Sequence, residues 1–161
     1  MSKNSKINKT NAMRTLDSQN IPYQYTAYPC EGFMDGLSVA KAVNRAPEEC
    51  FKTLVTVAAS RLNYVFVIPV AAELDLKKAA ASVGEKSIAM LPAKDITPTT
   101  GYVKGGCSPI GMKKRFPTVI DASARELVDM TVSAGRLGLQ ITLAPQDLAT
   151  VCQAQFAPIT A

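Results

Sequence analysis

Two apolar segments, 51–58 and 64–70, constrain the fold of this chain more than any other feature. They read FKTLVTVA and YVFVIPV and are rich in β-branched and aromatic residues, which favour strands. Only residues 59–63 separate them, so we expect an antiparallel pair. This pair predicts the core of a sheet.

The segments around this pair predict a mixture of helices and further strands. Apolar spacing and capping signals predict helices at 11–18, 38–43, 74–83 and 145–152. Alternating or β-branched runs predict strands at 23–28, 88–91, 118–121, 130–133 and 139–143. Because the helices alternate with hairpins and do not follow each strand, we predict an α+β fold. It has a mixed, largely antiparallel sheet, curled or barrel-like, with packed helices.

The composition is that of a globular protein, with 47% hydrophobic and 19% charged residues among 161. We expect a single domain over 1–161 with a polar N-terminal tail of about ten residues. No apolar run approaches the roughly 18 residues of a membrane-spanning helix, and the polar start does not resemble a signal peptide. These features predict a cytoplasmic protein with no membrane and no DNA partner.

The chain contains no histidine, and this excludes Ser-His-Asp and Cys-His catalysis as well as imidazole metal sites. The cysteines at 30, 50, 107 and 152 lie far apart without a C-x-x-C pair, so we read them as reduced thiols. We predict no metal and no cofactor. Any chemistry must use lysine, carboxylates, hydroxyls, backbone amides or groups of the substrate itself.

Residues 101–115, GYVKGGCSPIGMKKR, combine four glycines, a proline and the cations Lys113, Lys114 and Arg115. One interpretation is a cradle for an anion or carbonyl group, because glycines let backbone amides approach a ligand. The other is a tight turn followed by a solvated basic stretch. The segment lacks the lysine of a P-loop and the spacing of a dinucleotide-binding loop, so neither kind of nucleotide enzyme is expected.

Lys52 lies near the start of the predicted strand 51–58. A lysine in an apolar strand is costly unless it meets an anion or opens into a wet pocket. The alternative is a lysine that snorkels to solvent at the end of the strand.

Positive charge is concentrated in two places along a chain of net charge +5. One cluster is N-terminal, and the other follows the glycine segment. Such clusters favour a polyanionic partner or simply make the surface soluble. The N-terminal cluster comprises Lys3, Lys6, Lys9 and Arg14.

Four strings of this sequence together resemble the YbaK/EbsC family of bacterial Cys-tRNA(Pro) deacylases. That family is related to the editing domain inserted in bacterial prolyl-tRNA synthetases. The resemblance runs in the same order over 11–159. The strings are FKTLV at 51–55, VIPVAAELDLKKAA at 67–80, GYVKGGCSPIGMKK at 101–114 and VSAGRLGLQITL at 132–143.

The resemblance implies the fold of this family and a trans-editing hydrolase that removes cysteine from mischarged tRNA(Pro). It also implies a prolyl-tRNA synthetase as a second partner. The family's essential lysine falls on Lys52. Its other site residues fall on Tyr28, Thr53, Gly105, Gly106, Ser108, Pro109, Ser133 and Gly135. The chain departs from the family pattern at Cys107, Ala134 and Gln140.

The resemblance also implies a mechanism that needs no histidine. The thiol of the attached cysteine attacks its own carbonyl, the amides near Gly105 and Gly106 face the ester, and Lys52 holds a phosphate or the aminoacyl end. Lys113, Lys114 and Arg115 are candidate tRNA contacts. Two alternatives stand beside this hypothesis: an Ala-tRNA(Pro) deacylase of the same fold, and a non-catalytic adaptor for tRNA or the synthetase.

Overall fold

The computed structural model describes residues 7–161. Lys3 and Lys6 of the predicted basic cluster lie outside the described residues, as does part of the polar tail. Within this range the helices are α1 (Asn11–Ser18), α2 (Gly36–Ala42), α3 (Leu76–Val83), α4 (Ile96–Thr100) and α5 (Pro145–Cys152). The strands are β1 (Gln24–Ala27), β2 (Phe51–Ala58), β3 (Asn63–Pro69), β4 (Ile88–Met90), β5 (Thr118–Asp121), β6 (Met130–Arg136), β7 (Leu139–Leu143) and β8 (Gln155–Ala157).

The described strands form two sheets. The smaller is antiparallel with the order β1-β7-β6, and the larger has the order β4-β2-β3-β5-β8. In the larger sheet β2 pairs antiparallel with β3 and β4, whereas β5 lies parallel to both β3 and β8. The α+β class and the mixed, largely antiparallel pairing are confirmed. The strands divide between two sheets, and the described part of the chain shows no closed barrel.

Local capping explains where the helices begin and end. The Thr10 hydroxyl accepts a hydrogen bond from the Met13 N–H at the start of α1, and Gly84 ends α3 in the left-handed conformation at φ +72°. The predicted helix at 38–43 begins earlier than expected. Its cap is Asp35, whose carboxylate accepts from the Ser38 N–H at 2.8 Å.

The larger sheet separates two apolar cores. On one face of β2 and β3, Phe51 and Val67 pack with α1, α5 and the smaller sheet. On the other face, Leu54 and Phe66 pack with α3. An isolated bridge between Cys50 and Thr131 ties the start of β2 to β6. No helix within residues 7–161 is long and apolar enough to cross a bilayer.

Candidate active site

A cavity of about 470 Å³ is lined by residues of β2 in the larger sheet and of β6 and β7 in the smaller sheet. This volume is within the usual range of small-molecule sites. Its walls come from β2, the loop before α2, the segment after β4, the glycine segment, and strands β6 and β7. Two lysines and no carboxylate stand among its described lining residues, so the cavity suits a neutral or anionic ligand.

Lys52 lines this cavity, which is the first of the two alternatives that the sequence left open for a lysine in an apolar strand. Its side chain is partly exposed. Among the described residues, neither ion pair of the structure involves Lys52. Its ammonium is therefore available to an anionic or polarised group of a ligand.

Thr53 follows Lys52 and lies on the opposite face of β2. It also lines the cavity. Its hydroxyl oxygen is buried and has no hydrogen-bond partner among the described residues. A buried unpaired hydroxyl is unfavourable, so this atom is a candidate partner for a ligand group that enters the cavity beside it.

Two adjacent glycines of the glycine segment play different parts. Gly105 lines the cavity and has φ +85°. The N–H of Gly106 instead donates to the Val103 carbonyl at 3.0 Å. The prediction that this amide faces a ligand is therefore not met by the geometry of the loop. A Cβ on Gly106 would lie 3.0 Å from the Arg136 Cα, so a larger residue here would press against the backbone of β6.

The Cys107 thiol lines the cavity as well. Burial raises its pKa to about 11. The thiol is therefore protonated at neutral pH and is a poor nucleophile.

Ser133, Gln140 and Tyr28 form a neutral polar wall. Ser133 and Gln140 line the cavity, and the Gln140 amide donates to the Tyr28 hydroxyl at 3.4 Å. Burial raises the pKa of Tyr28, so this phenol stays neutral. Tyr28 stands behind Gln140 and is not itself a lining residue.

Like Tyr28, three further predicted substrate contacts do not line the cavity, and their groups serve the scaffold. The buried Ser108 hydroxyl accepts from the Ile110 N–H at 3.3 Å, and the Pro109 carbonyl accepts from the Cys152 thiol. Gly135 has φ +110°, and a Cβ there would lie 2.8 Å from the Tyr102 ring. The geometry therefore gives these three residues structural positions.

The basic run after the glycine segment is also remote from the cavity. The Lys113 ammonium donates to the Pro98 carbonyl at 2.7 Å. Lys114 and Arg115 border a second cavity of about 280 Å³, next to Thr15 and Met112. Contact between this run and tRNA remains a prediction.

Sequence reasoning missed two residues at the mouth of the cavity. Phe33 is 65% exposed, and the Lys104 ammonium lies 5.6 Å from the centre of its ring. Both line the cavity. An exposed aromatic residue beside a cation is a suitable surface for a nucleobase. The signal that could have found Phe33 is its place in a glycine-containing loop.

The described residues contain no group of three or more cysteine, aspartate or glutamate side chains that could hold a metal ion. All four cysteines are free thiols. The polar groups among the residues that line the cavity include the ammonium groups of Lys52 and Lys104, the hydroxyls of Thr53 and Ser133, and the Gln140 amide.

Comparison with known proteins matches residues 33–151 to a family model described as the aminoacyl-tRNA editing domain. The chain belongs to this family. The matched range contains every residue that lines the cavity. A curated relative from Enterococcus faecalis, provisionally named Cys-tRNA(Pro)/Cys-tRNA(Cys) deacylase EbsC, is 45% identical over 161 residues, covering 99% of this chain and 98% of the relative. The predicted resemblance is confirmed.

Solved structures show that this editing domain has a known fold. One, provisionally described as a trans-editing enzyme for prolyl tRNA synthetase, superposes with a TM-score of 0.84 at 20% identity, covering 100% of this chain and 99% of the other. A hypothetical protein superposes with a TM-score of 0.86 at 17% identity, covering 94% and 100%. At these identities the likeness establishes the fold alone.

Proposed function

We propose that this editing domain is a trans-acting deacylase that releases cysteine from Cys-tRNA(Pro). The activity named for its Enterococcus relative supports the proposal, and so does the cavity. The observation that carries it is a cavity that combines Lys52, a glycine loop and an orphan hydroxyl but offers no general base. Because tRNA is charged in the cytoplasm, the protein would act there.

Because the residues that line the cavity offer no general base, the proposed substrate supplies its own nucleophile. The thiol sulfur of the attached cysteine forms a bond to its own ester carbonyl carbon, and the bond from that carbon to the ribose oxygen breaks. The thiol proton ends on the ribose oxygen, so the products are free tRNA and a cyclic thioester of cysteine, which water opens. The neutral Cys107 thiol takes no part in this step.

The protein then has to position the ester and stabilise negative charge on its carbonyl oxygen. In the proposal, the Gly105 N–H faces this oxygen and Lys52 adds a point charge from the other side. Gly106 holds the loop by its bond to Val103 and against the backbone of Arg136. Removing one donor of this kind typically costs about 3 kcal/mol of transition-state stabilisation.

A variant pair tests this assignment. Lys52→Met removes the ammonium but keeps most of the side-chain volume, and it should slow Cys-tRNA(Pro) deacylation by roughly 100-fold. Lys77→Met is the matched control, because Lys77 is exposed on α3 and lines none of the described cavities. Undiminished release of cysteine by Lys52→Met would refute the role of Lys52.

The choice of substrate tests the mechanism. Ser-tRNA(Pro) and Ala-tRNA(Pro) lack the thiol, so both should be cleaved much more slowly than Cys-tRNA(Pro). Rapid cleavage of Ala-tRNA(Pro) would instead support the alanine-specific alternative. Binding of Cys-tRNA(Pro) without release of cysteine would identify a non-catalytic adaptor.

A further inference from the structure

The edge of strand β2 is exposed inside the cavity. Five consecutive residues, 51–55, line it. Alternate residues of a strand point to opposite faces, so a cavity that meets five in a row must wrap around the strand edge. Backbone groups of β2 therefore form part of its wall.

The reason for this opening is the point at which β4 leaves the sheet. Pairing of β4 with β2 covers only Thr56 to Ala58, and the last contact is the Leu91 N–H, which donates to the Val55 carbonyl at 3.0 Å. Pro92 follows, and the chain then turns into a short 3₁₀ helix at Ala93–Asp95. Continuing the register would have placed residue 93 opposite Thr53.

Thr53 is thus the residue that loses its strand partner. Because Val55 turns its carbonyl to this edge, the odd-numbered residues of β2 present their N–H and C=O groups there. At the other end, the bridge between Cys50, the residue before β2, and Thr131 is the one β-bridge that joins β6 to this part of the described chain. Thr53 lies between these two contacts, where neither β4 nor β6 is paired with it.

The side chain of Thr53 points to the same conclusion independently. Its hydroxyl is buried without a partner among the described residues. One residue therefore places an N–H donor and a C=O acceptor at the cavity wall, with a buried, unpaired hydroxyl beside them. Buried polar groups are nearly always paired in proteins, so a ligand that bonds to this strand edge would complete it.

A backbone N–H and C=O of one residue match a flat ligand that carries a donor beside an acceptor. The Watson–Crick edge of adenine is such a group, with the N6 amino group next to ring N1. Apolar side chains of Leu91 and Ile96 line the cavity beside this edge and suit the faces of a ring. In every aminoacyl-tRNA, adenosine is the nucleotide that carries the ester.

We propose that the Thr53 N–H and C=O bind the Watson–Crick edge of the 3′-terminal adenine, donating to N1 and accepting from N6. This inference rests on the proposed function for the identity of the ligand. It assigns recognition of the base to the strand edge, whereas the glycine loop and Lys52 act on the ester.

Four cysteinyl ribonucleoside 5′-monophosphate esters test this assignment, carrying adenine, purine, 1-deazaadenine or 7-deazaadenine. Purine lacks the N6 amino group and 1-deazaadenine lacks N1, so each should reduce kcat/KM by about tenfold, the effect of losing one hydrogen bond in a buried site. The 7-deazaadenine ester keeps the whole edge and should react like the adenine ester. Rates are corrected for the reaction without protein.

Equal rates for all four esters would overturn the assignment. A second outcome would also overturn it. The ester 3-mercaptopropanoyl adenosine monophosphate lacks the α-amino group; if kcat/KM falls for this ester but not for the purine and 1-deazaadenine esters, the strand edge binds the amine and not the base. Binding of the four parent monophosphates without the ester is measured in parallel. If no ester is cleaved but binding still ranks adenine and 7-deazaadenine above the other two, the proposed deacylation fails and the adenine site stands. Absence of both cleavage and ranked binding refutes both.

Discussion

Replacing Thr53 with valine should make the ligand-free protein more stable and a poorer enzyme. Valine has nearly the same shape and a similar preference for strands, so the change mainly exchanges the orphan hydroxyl for a methyl group. A buried polar group without a partner costs about 1–3 kcal/mol, and the methyl group adds roughly 0.8 kcal/mol of favourable burial. We expect these two contributions together to raise the free energy of unfolding by about 2–4 kcal/mol.

Thr56→Val is the matched control on the same strand. The buried Thr56 hydroxyl donates to the Tyr64 carbonyl at 2.8 Å, so valine here removes a hydrogen bond that the folded protein makes. This variant should lose about 1–2 kcal/mol of stability. Its side chain faces away from Thr53, and its rate of Cys-tRNA(Pro) deacylation should be unchanged when it is folded.

Urea unfolding and a deacylation assay on both variants measure these effects. At this chain length each kcal/mol corresponds to about 2–4 °C in Tm, so the two variants should move in opposite directions by an easily measured amount. For Thr53→Val we expect kcat/KM to fall roughly tenfold, equivalent to about 1.4 kcal/mol. If Thr53→Val were destabilised as much as Thr56→Val, the Thr53 hydroxyl would have a partner in the free protein, and its role as a ligand group would be wrong.

Two further predictions concern the scaffold. Gly106→Ala places a Cβ 3.0–3.1 Å from backbone atoms of Arg136 and Leu137, so urea unfolding should show a loss of about 1–3 kcal/mol; an unchanged midpoint would contradict this packing. Burial raises the pKa of the Cys50 and Cys107 thiols to about 11 and that of Cys152 to about 12. The thiols of the unfolded chain ionise near pH 8.5, so their contribution to stability should be constant well below that pH. Stability should then fall by up to about 1.4 kcal/mol per pH unit for each thiol as pH rises toward 11. Equal stability at pH 8 and pH 10.5 would refute these burials.

Elements with strong local signals could be predicted from the sequence. Helix α1 has its Thr10 cap and apolar spacing, and β2 and β3 are long runs of strand-forming residues. The short helix α4 was missed, since it has five residues, one of them a proline, and no side-chain cap. Strand β8 and the parallel pairing of β5 were also missed, because neighbours in a sheet that are distant in sequence leave no local pattern.

In the candidate site, too, some residues could be predicted from the sequence and others could not. Lys52, Thr53 and Gly105 were predicted from residue type and resemblance, and the fold brings them to one cavity. Ser108 and Pro109 belong to an equally distinctive motif, but they do not line the cavity. The Ser108 hydroxyl accepts from the Ile110 N–H within the loop, and the Pro109 carbonyl accepts from the Cys152 thiol. A motif identifies which residues a loop needs, and it does not separate those that bind a ligand from those that shape the loop.

By itself the sequence determined the chemistry that is available and the elements that carry it. A chain without histidine has no imidazole base, and the glycines of residues 101–115 admit a close backbone approach wherever they lie. Only the tertiary structure decided which atoms meet. Pro92 removes β4 from the edge of β2, and the resulting gap exposes Thr53 between two sheets whose strands are far apart in the chain. Since such pairings depend on the packing of the whole molecule, no local pattern could reveal that the strand edge would become the wall of the site.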